Sequence, residues 1–461
     1  MKITETQQSL LKKCSEYFTA GKVVSLGSGL PGGIPFVLGG NHTNVFMSTS
    51  GLIGDWSPSD EVSSYVDGNG DYVQLQPGSC LAGIGDRASI ISGGYVESLV
   101  VQPESIGSKG TWKVKHFDRG DIESLSNNSC QIVAIAELDS VNKLFADVDS
   151  DQMIKSRILD RIVTDKCVLM LADEGFVIDE ISDASNLEEI QRLVGVELQV
   201  SKDCRFYGDP LIENHQHGTV SKIYKSGPSA VSDIADNSVV MIDGFAGPGG
   251  MAHYLLMSLR DQGSKNLTII SNTAGIARVV NFGTPPGKLV IDHSILIDNH
   301  QVGKAIASYP VSPSASNPSS FELAYRAGEV DLELVPQGTL AERLRAGGAG
   351  VKYFYTPTGA GTLIAEGKDT RTLNGKEYIQ EAGLLADYCI IRGYKADRFG
   401  NVVYKGTSRN FNAVMAPAAK TSIVEVDEIV EDGALDPELI VTPGLFVDRI
   451  VVRPEDFSPY E

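Results

Sequence analysis

Basic residues are scarce in this chain. Its 461 residues include 39 Lys and Arg against 59 Asp and Glu, for a formal net charge of -20, and the longest basic cluster is "LLKK" at Leu10 to Lys13. Phosphate-backbone binding draws on clustered Lys and Arg, so a nucleic-acid partner is excluded. Long apolar runs are missing too. None approaches the roughly 20 residues needed to cross a bilayer, and the N-terminal "MKITETQQSLLKKCSEYF" has no signal-peptide core. The expectation is a cytoplasmic protein with no membrane partner. The six cysteines (Cys14, Cys80, Cys130, Cys167, Cys204 and Cys389) form no C-x-x-C pair. That usage predicts buried or incidental thiols rather than disulfides or a zinc site. Cys80 follows "QPGS", a cleft position in principle, but the buried-thiol reading is preferred. One His pair beside a Glu, in "ENHQHG" at Glu213 to Gly218, is read as solvated linker, and no metal site is expected.

What is present points to a large globular protein. Hydrophobic residues make up 42% of the chain and there are 48 glycines, and the length suits two large domains or about three ordinary ones. Two stretches echo each other. "VVSLGSGLPGG" (Val23 to Gly33) and "VVMIDGFAGPGG" (Val239 to Gly250) each run from an apolar strand into a turn ending Pro-Gly-Gly. "NVFMSTSGLIG" (Asn44 to Gly54) and "NLTIISNTAGIA" (Asn266 to Ala277) follow them in the same order, each an apolar strand entering a hydroxyl- or Asn-rich glycine turn. The repeat predicts a duplicated α/β unit, with a joint near Val200 to Gly218, where periodicity fades. "GSGLPGG" is not read as a nucleotide fingerprint, because its proline interrupts helix initiation. Neither a P-loop nor a G-x-S-x-G elbow occurs.

The runs "SLVVQ" (from Ser98), "CQIVAIAEL" (from Cys130), "CVLMLA" (from Cys167) and "YCIIRGYKA" (from Tyr388) are nearly continuous in apolar residues, as in strands buried on both faces. They alternate with helical segments such as "LLKKCSEYFTAG" and "GTLAERLRAGG". In the second, Leu340 and Leu344 lie one turn apart and the run stops at Gly347-Gly348. The fold class is therefore α/β: two similar open halves with mainly parallel sheets and an active cleft between the halves. Ligands in such folds sit beyond the carboxyl ends of strands, the zone in which Thr49 and Asn272 fall.

From "ELVPQGTLAERLRAGGAGVKYFYTPTGAGTLIAEGKD" (Glu333 to Asp369) through "KADRFGNVVYKGTSRNFN" (Lys395 to Asn412) to "IVEVDEIVEDGALDPELIVTPGLFVDRIV" (Ile423 to Val451), the chain resembles the alpha half of class I coenzyme A transferases of the succinyl-CoA:3-oxoacid type. "GFAGPGG" and "KNLTIISNTAG" extend the match upstream, to about 240 residues. Residues 1–210 resemble the beta subunit less closely, through "GKVVSLGSGLPGGIP", "SGLIG", "SPSDEV", "LQPGS", "IISGGYVE" and "ILDRIVTDKCVL", in the family's order. The resemblance implies a beta-like domain over 1–210 and an alpha-like domain over 218–461, the reverse of the alpha-then-beta order of typical single-chain members. It further implies no permanently bound cofactor, coenzyme A as part of the substrate, a small carboxylic acid as partner, and a homodimer or higher homo-oligomer.

One departure bears on mechanism. The family carries Ser-Glu-Asn-Gly-Leu where this chain has Ser48-Thr49-Ser50-Gly51-Leu52, so Thr49 replaces the glutamate that forms acyl-anhydride and glutamyl-CoA intermediates. A threonyl ester is poorly activated and its hydroxyl needs a base. Two glycine-containing loops of the family align with Gln102-Pro103 and with "DRGDIES" (Asp118 to Ser124). Three readings follow. The first is an acyl-CoA enzyme without a glutamyl-CoA intermediate, hydrolysing the thioester or cleaving a C–C bond with decarboxylation. It uses Ser48, Thr49, Ser50, Asn272 and Glu104 as catalytic candidates. Gly29, Gly51, Leu52, Gln102, Asp118, Gly247, Gly249, Gly250, Gly347 and Gly348 are the substrate or CoA contacts. The plain alternative for Glu104 and Asp118 is that they are surface acids of an acidic protein. The second reading is a CoA transferase with a displaced carboxylate. The third is an inactive acyl-CoA-binding homologue. The first is preferred on sequence.

Overall fold

The computed structural model of the chain describes residues 3–40, 42–107, 109–114, 130–138, 144–145, 154, 158–208, 221–243, 245, 250–276, 279–280 and 285–460. Internal contacts divide the chain into two compact units, Met1–Val220 and Ser221–Glu461. Among the described residues no helix is long and apolar enough to cross a membrane.

The first unit is built on a ten-stranded sheet. Its strands in chain order are β1 (Val23–Leu26), β2 (Val45–Ser48), β3 (Leu52–Ile53), β4 (Cys80–Leu81), β5 (Val96–Val101), β6 (Gln131–Ala136), β7 (Arg161–Thr164), β8 (Cys167–Ala172), β9 (Gly175–Ser182) and β10 (Gln199–Tyr207). The spatial order is β10-β9-β8-β7-β6-β5-β1-β2-β3-β4. The central run β7-β6-β5-β1-β2 is parallel throughout, and these are the segments whose near-unbroken apolar runs suit burial on both faces. Helix α1 (Glu5–Ser15) opens with a Thr4–Gln7 capping box and ends its last turn on Lys12 and Lys13, matching the helix dipole. It presents Leu10, Leu11 and Cys14 to Val24, Leu26, Val133 and Ile135 of the sheet, joined by Ile34 of the short helix α2 (Ile34–Leu38). Each fully buried side chain of that size stabilises the fold by about 1.5–3 kcal/mol. Helix α3 (Ile84–Ser92) lies between β4 and β5 in sequence.

The second unit has a seven-stranded sheet of β11 (Val239–Ile242), β12 (Leu267–Thr273), β13 (Val302–Tyr309), β14 (Asp331–Leu334), β15 (Ala386–Arg392), β16 (Ala419–Val426) and β17 (Arg449–Val452). Its order is β14-β13-β12-β11-β15-β16-β17 and every pairing is parallel. Helix α4 (His253–Gln262) buries Leu255, Leu256 and Leu259 against Val240, Ile242, Leu267 and Ile269. Helices α5 (Gln337–Gly348) and α6 (Phe411–Met415) complete the elements that matter below. The echo seen in sequence is thus the parallel pair β1–β2 in one unit and β11–β12 in the other, each first strand lying inside its sheet.

Three local expectations need correction. Val200 is not the start of a linker: Gln199–Tyr207 is an edge strand paired in parallel with β9, and its pattern escaped notice because most of its side chains are exposed. β8 pairs antiparallel with both neighbours and becomes exposed toward Ala172, so it is not a strand buried on both faces along its length. The helix within "LLKKCSEYFTAG" ends at Ser15. The run "GTLAERLRAGG" does stop where expected, since Gly347 and Gly348 are the last two residues of α5, and the left-handed residue is Gly350, at φ 70°. They are glycines because a Cβ on Gly347 would collide with the Leu384 backbone, and one on Gly348 would come within 2.8–3.0 Å of Pro417.

Candidate functional site

In the first unit the carboxyl ends of β1, β2 and β5 are adjacent, and the chain continues from them into Gly27–Gly33, Thr49–Gly51 and Gln102. Most of the residues singled out in this half meet here. Gly51 holds φ 94° and lies so close to the Ala82 carbonyl, 2.5 Å from where a Cβ would stand, that no other residue fits without displacement. Ser48 is buried, Thr49 half-buried and Ser50 exposed.

The hydroxyls form a closed relay. Leu52 N–H donates to Ser48 Oγ at 3.0 Å, Ser48 and Ser50 hydroxyls are 2.7 Å apart, and Ser50 Oγ donates to the Val66 carbonyl at 2.7 Å. With the Ser50 proton spent on Val66, the shared proton comes from Ser48. Among the described residues no base takes part in the relay, so neither serine is activated as a nucleophile. Arg87 of α3 brings its Nε to the Ser48 carbonyl at 3.1 Å.

The turn after β1 is also occupied by the protein's own groups. Gly29 N–H donates to Asn69 Oδ1, Asn69 Nδ2 donates to the Gly29 carbonyl at 3.1 Å, and Leu30 N–H donates to Gln102 Oε1 at 2.9 Å. The loop that carries Asn69 passes beside Thr49, whose Oγ1 would clash with a Cβ on Gly68. Gly27, Gly29 and Gly32 do stand at G-x-G-x-x-G spacing, which the sequence reading discounted. The segment that follows is a four-residue 3-10 turn, Leu30–Gly33, rather than a long helix. Asn69, Gly68 and Arg87 were missed in sequence because they lie 20 to 40 positions or so from the turns they touch and carry no motif. Glu104 is exposed and lies 3.5 Å from Lys113 Nζ across a short hairpin, the arrangement of a surface ion pair. Asp118 lies outside the described residues.

In the second unit, Asn272 sits near the carboxyl end of β12 and is 3% exposed. Its Oδ1 accepts from Gln337 Nε2 at 2.9 Å, and its Nδ2 has no partner among the described residues. Thr273 is in register with Tyr309, so Asn272 and Ser308 occupy neighbouring positions on adjacent strands. Ser308 Oγ and Thr339 Oγ1 are buried without hydrogen-bond partners. Gln337 and Thr339 begin α5, a twelve-residue helix with no side-chain cap. Helix dipole, amide and hydroxyl donors therefore gather at one end of the parallel sheet, an arrangement that favours an anionic or carbonyl oxygen. Gln337 lies in the "VPQGT" segment but was not singled out in sequence.

A second cluster joins the end of β11 to Gly250. Asp243 is 1% exposed and Asn412 is fully buried. Asp243 Oδ1 accepts from Phe245 N–H at 2.8 Å and its Oδ2 accepts from Asn412 Nδ2 at 2.8 Å. Gly250, among the expected contacts, gives its carbonyl to the same Asn412 amide. Gly247 and Gly249 lie outside the described residues, as does "ENHQHG". Nearby, His253 is held neutral by burial and by the charges of Arg453 and Arg392, which bring its pKa down to about 3.

A sequence profile for the family described as Coenzyme A transferase matches residues 225–453. The chain is 45% identical over 232 residues to one subunit of the 3-oxoadipate CoA-transferase of Pseudomonas putida, covering 50% of this chain and 94% of that relative. It is 42% identical over 233 residues to one subunit of the probable succinyl-CoA:3-ketoacid coenzyme A transferase of Bacillus subtilis (strain 168), covering 50% of this chain and 90% of the relative. Among solved structures, an acyl-CoA transferase of Escherichia coli O157:H7 in a thioester complex with CoA aligns at 23% identity and a TM-score of 0.44. That alignment covers 52% of this chain and 48% of the other, too loose a likeness to carry positions across.

Proposed function

Because the chain belongs to the class I coenzyme A transferase family, we propose that it is an enzyme moving CoA between a small acyl-CoA and a carboxylic acid, with its second unit binding the acid. The observation that carries the reading is the pairing of buried Asn272 with half-buried Gln337 at the uncapped start of α5, inside the stretch that the family profile covers. The relatives named above are transferases, and this favours transfer over the hydrolysis or decarboxylation preferred on sequence alone.

Asn272 Nδ2 and the first N–H groups of α5 would hold the acid's carboxylate, while Gln337 orients the Asn272 amide through its oxygen. Gly247, Gly249 and Gly250 are the proposed thioester contacts. Transfer through an enzyme-bound intermediate needs a carboxylate nucleophile, which Ser48 to Leu52 do not contain. We assign that role to a carboxylate elsewhere, with Glu104 the first to test. A second reading, hydrolysis or C–C cleavage without a covalent intermediate, is favoured by one observation, the base-free hydroxyl relay at Ser48 and Ser50. Since both relatives carry the names of single subunits, assembly into a homodimer or larger oligomer is also proposed, checked by light scattering.

The deciding experiment mixes the full chain with succinyl-CoA and acetoacetate. It follows acetoacetyl-CoA, free CoA and carbon dioxide, then traps with borohydride and maps peptides. Acetoacetyl-CoA together with a labelled carboxylate supports transfer, and the label identifies the nucleophile. Free CoA or carbon dioxide without label moves the assignment to the second reading, and tight binding without product would make the chain a non-catalytic homologue. Gln337→Ala should raise the KM for the acid about 10- to 100-fold, the loss expected for a hydrogen bond supporting a charged ligand.

A further inference from the structure

We infer that Asn412 is a positioning residue for this reaction, clamping Asp243, at the exit of β11, to Gly250, at the entry to α4. The inference rests on the proposed function only for its consequence in substrate affinity, because the clamp itself is geometric.

Asn412 Nδ2 lies 2.8 Å from Asp243 Oδ2, 2.8 Å from the Gly250 carbonyl and 2.8 Å from the Ser408 carbonyl. Two amide hydrogens are shared among three acceptors. On its other side, Asn412 Oδ1 accepts from Arg392 N–H at 2.9 Å, at the end of β15. The amide orientation is thereby fixed, since flipping it would set an oxygen against three acceptors and an NH2 against a donor. One fully buried side chain thus ties together Asp243, Gly250, the turn before α6 and the end of a neighbouring strand. Gly250 is confined from the other side as well: a Cβ there would stand 2.7 Å from the Phe245 carbonyl. The exit of β11 and the entry to α4 are consequently held at one spacing. Asp243 supplies the charge that makes the central bond the strongest of the set.

The test uses Asn412→Asp and Asn412→Ala in the full chain, with Leu255→Ala as a core variant lowering stability without touching the clamp. Amide hydrogen exchange is measured over peptides spanning 243–252, and succinyl-CoA is titrated calorimetrically. Both Asn412 variants should speed exchange in 243–252 selectively and weaken succinyl-CoA binding by about tenfold, with kcat at saturation much less affected. In Asn412→Asp the introduced carboxyl faces Asp243, so binding should partly recover on lowering the pH, when a proton shared between the two acids restores a donor. Asn412→Ala should show no such recovery.

Unchanged exchange in 243–252 overturns the clamp. Equal loss of affinity in Leu255→Ala overturns a positioning role and leaves only stability. Should the wild-type chain bind no succinyl-CoA, the proposed function falls, while the exchange data still decide whether Asn412 holds Asp243 and Gly250 together.

Discussion

Thr49→Glu restores the residue type that the transferase family carries at this position, and the structure predicts that it fails to restore the chemistry. Thr49 Oγ1 lies against Gly68, so a longer side chain must displace the loop from Val66 to Gly70. Three hydrogen bonds hold that loop to the strand ends: Ser50 to the Val66 carbonyl, Gly29 N–H to Asn69, and Asn69 to the Gly29 carbonyl. Such bonds contribute about 0.5–1.5 kcal/mol each, and their exposure puts them in the lower part of that range, so displacement costs about 2 kcal/mol. That corresponds to a population penalty of about 30-fold for the open loop. Urea unfolding should register the loss of about 2 kcal/mol, and mass spectrometry of peptide 44–54 after incubation with succinyl-CoA should find no glutamyl-CoA adduct. Adding Asn69→Gly removes two of the three bonds beforehand, and any CoA exchange should appear in that double variant first. A stoichiometric adduct in Thr49→Glu alone, with undiminished stability, would refute the idea that the loop obstructs this position.

Two further predictions concern stability. His253 is neutral in the fold, with a pKa brought to about 3 against an ordinary 6.5. Its contribution is fully present above pH 6.5 and is lost as the pH falls toward 3. Unfolding free energies at pH 7 and pH 5 should therefore differ by about 2 kcal/mol from this group, and His253→Gln should remove that difference; an unchanged pH dependence would contradict it. Lys13 and Glu180 are a buried pair at 2.7 Å, with Arg205 and Tyr17 also bonded to the carboxylate. Burial alone would raise the Glu180 pKa, but the bond and charge of Lys13 overcome this and hold it low. Its stabilisation is present above the ordinary carboxylate range and lost as pH falls through the lowered value. Lys13→Met should cost about 3 kcal/mol in urea unfolding and shift that acid loss to higher pH. A smaller loss in Lys13→Met with Glu180→Gln would confirm that the buried charge, left with only Arg205 and Tyr17, and not lost packing, is responsible.

Local sequence patterns pointed to most of the parallel strands, because a strand buried on both faces is largely apolar, as Val23–Leu26 and Gln131–Ala136 are apart from Ser25 and Gln131, although the same pattern misplaced Cys167–Ala172, which pairs antiparallel. They also located the turns that need glycine, since only a residue without a Cβ fits beside Ala82 at position 51. Asn272 was legible through the likeness of its turn to that after β2. The edge strand Gln199–Tyr207 was not, because solvent imposes no hydrophobic alternation on it.

Side-chain partnership was the other thing the chain's local pattern left open. Gln337 reaches Asn272 across 65 positions, Asn412 reaches Asp243 across 169, and Asn69 reaches Gly29 across 40. Periodicity and turn chemistry record how each segment folds and which face it buries. They carry no record of which amide meets which acceptor once the strand ends are brought together. The amino-acid sequence by itself determined the two parallel-sheet halves, the family resemblance and the absence of glutamate at position 49. Only the tertiary structure decided that the Ser48 and Ser50 hydroxyls are consumed in a relay, that the turn after β1 is filled by Asn69 and Gln102, and that one buried asparagine bonds both Asp243 and Gly250. Those outcomes depend on distances between residues far apart in the chain, which only packing sets.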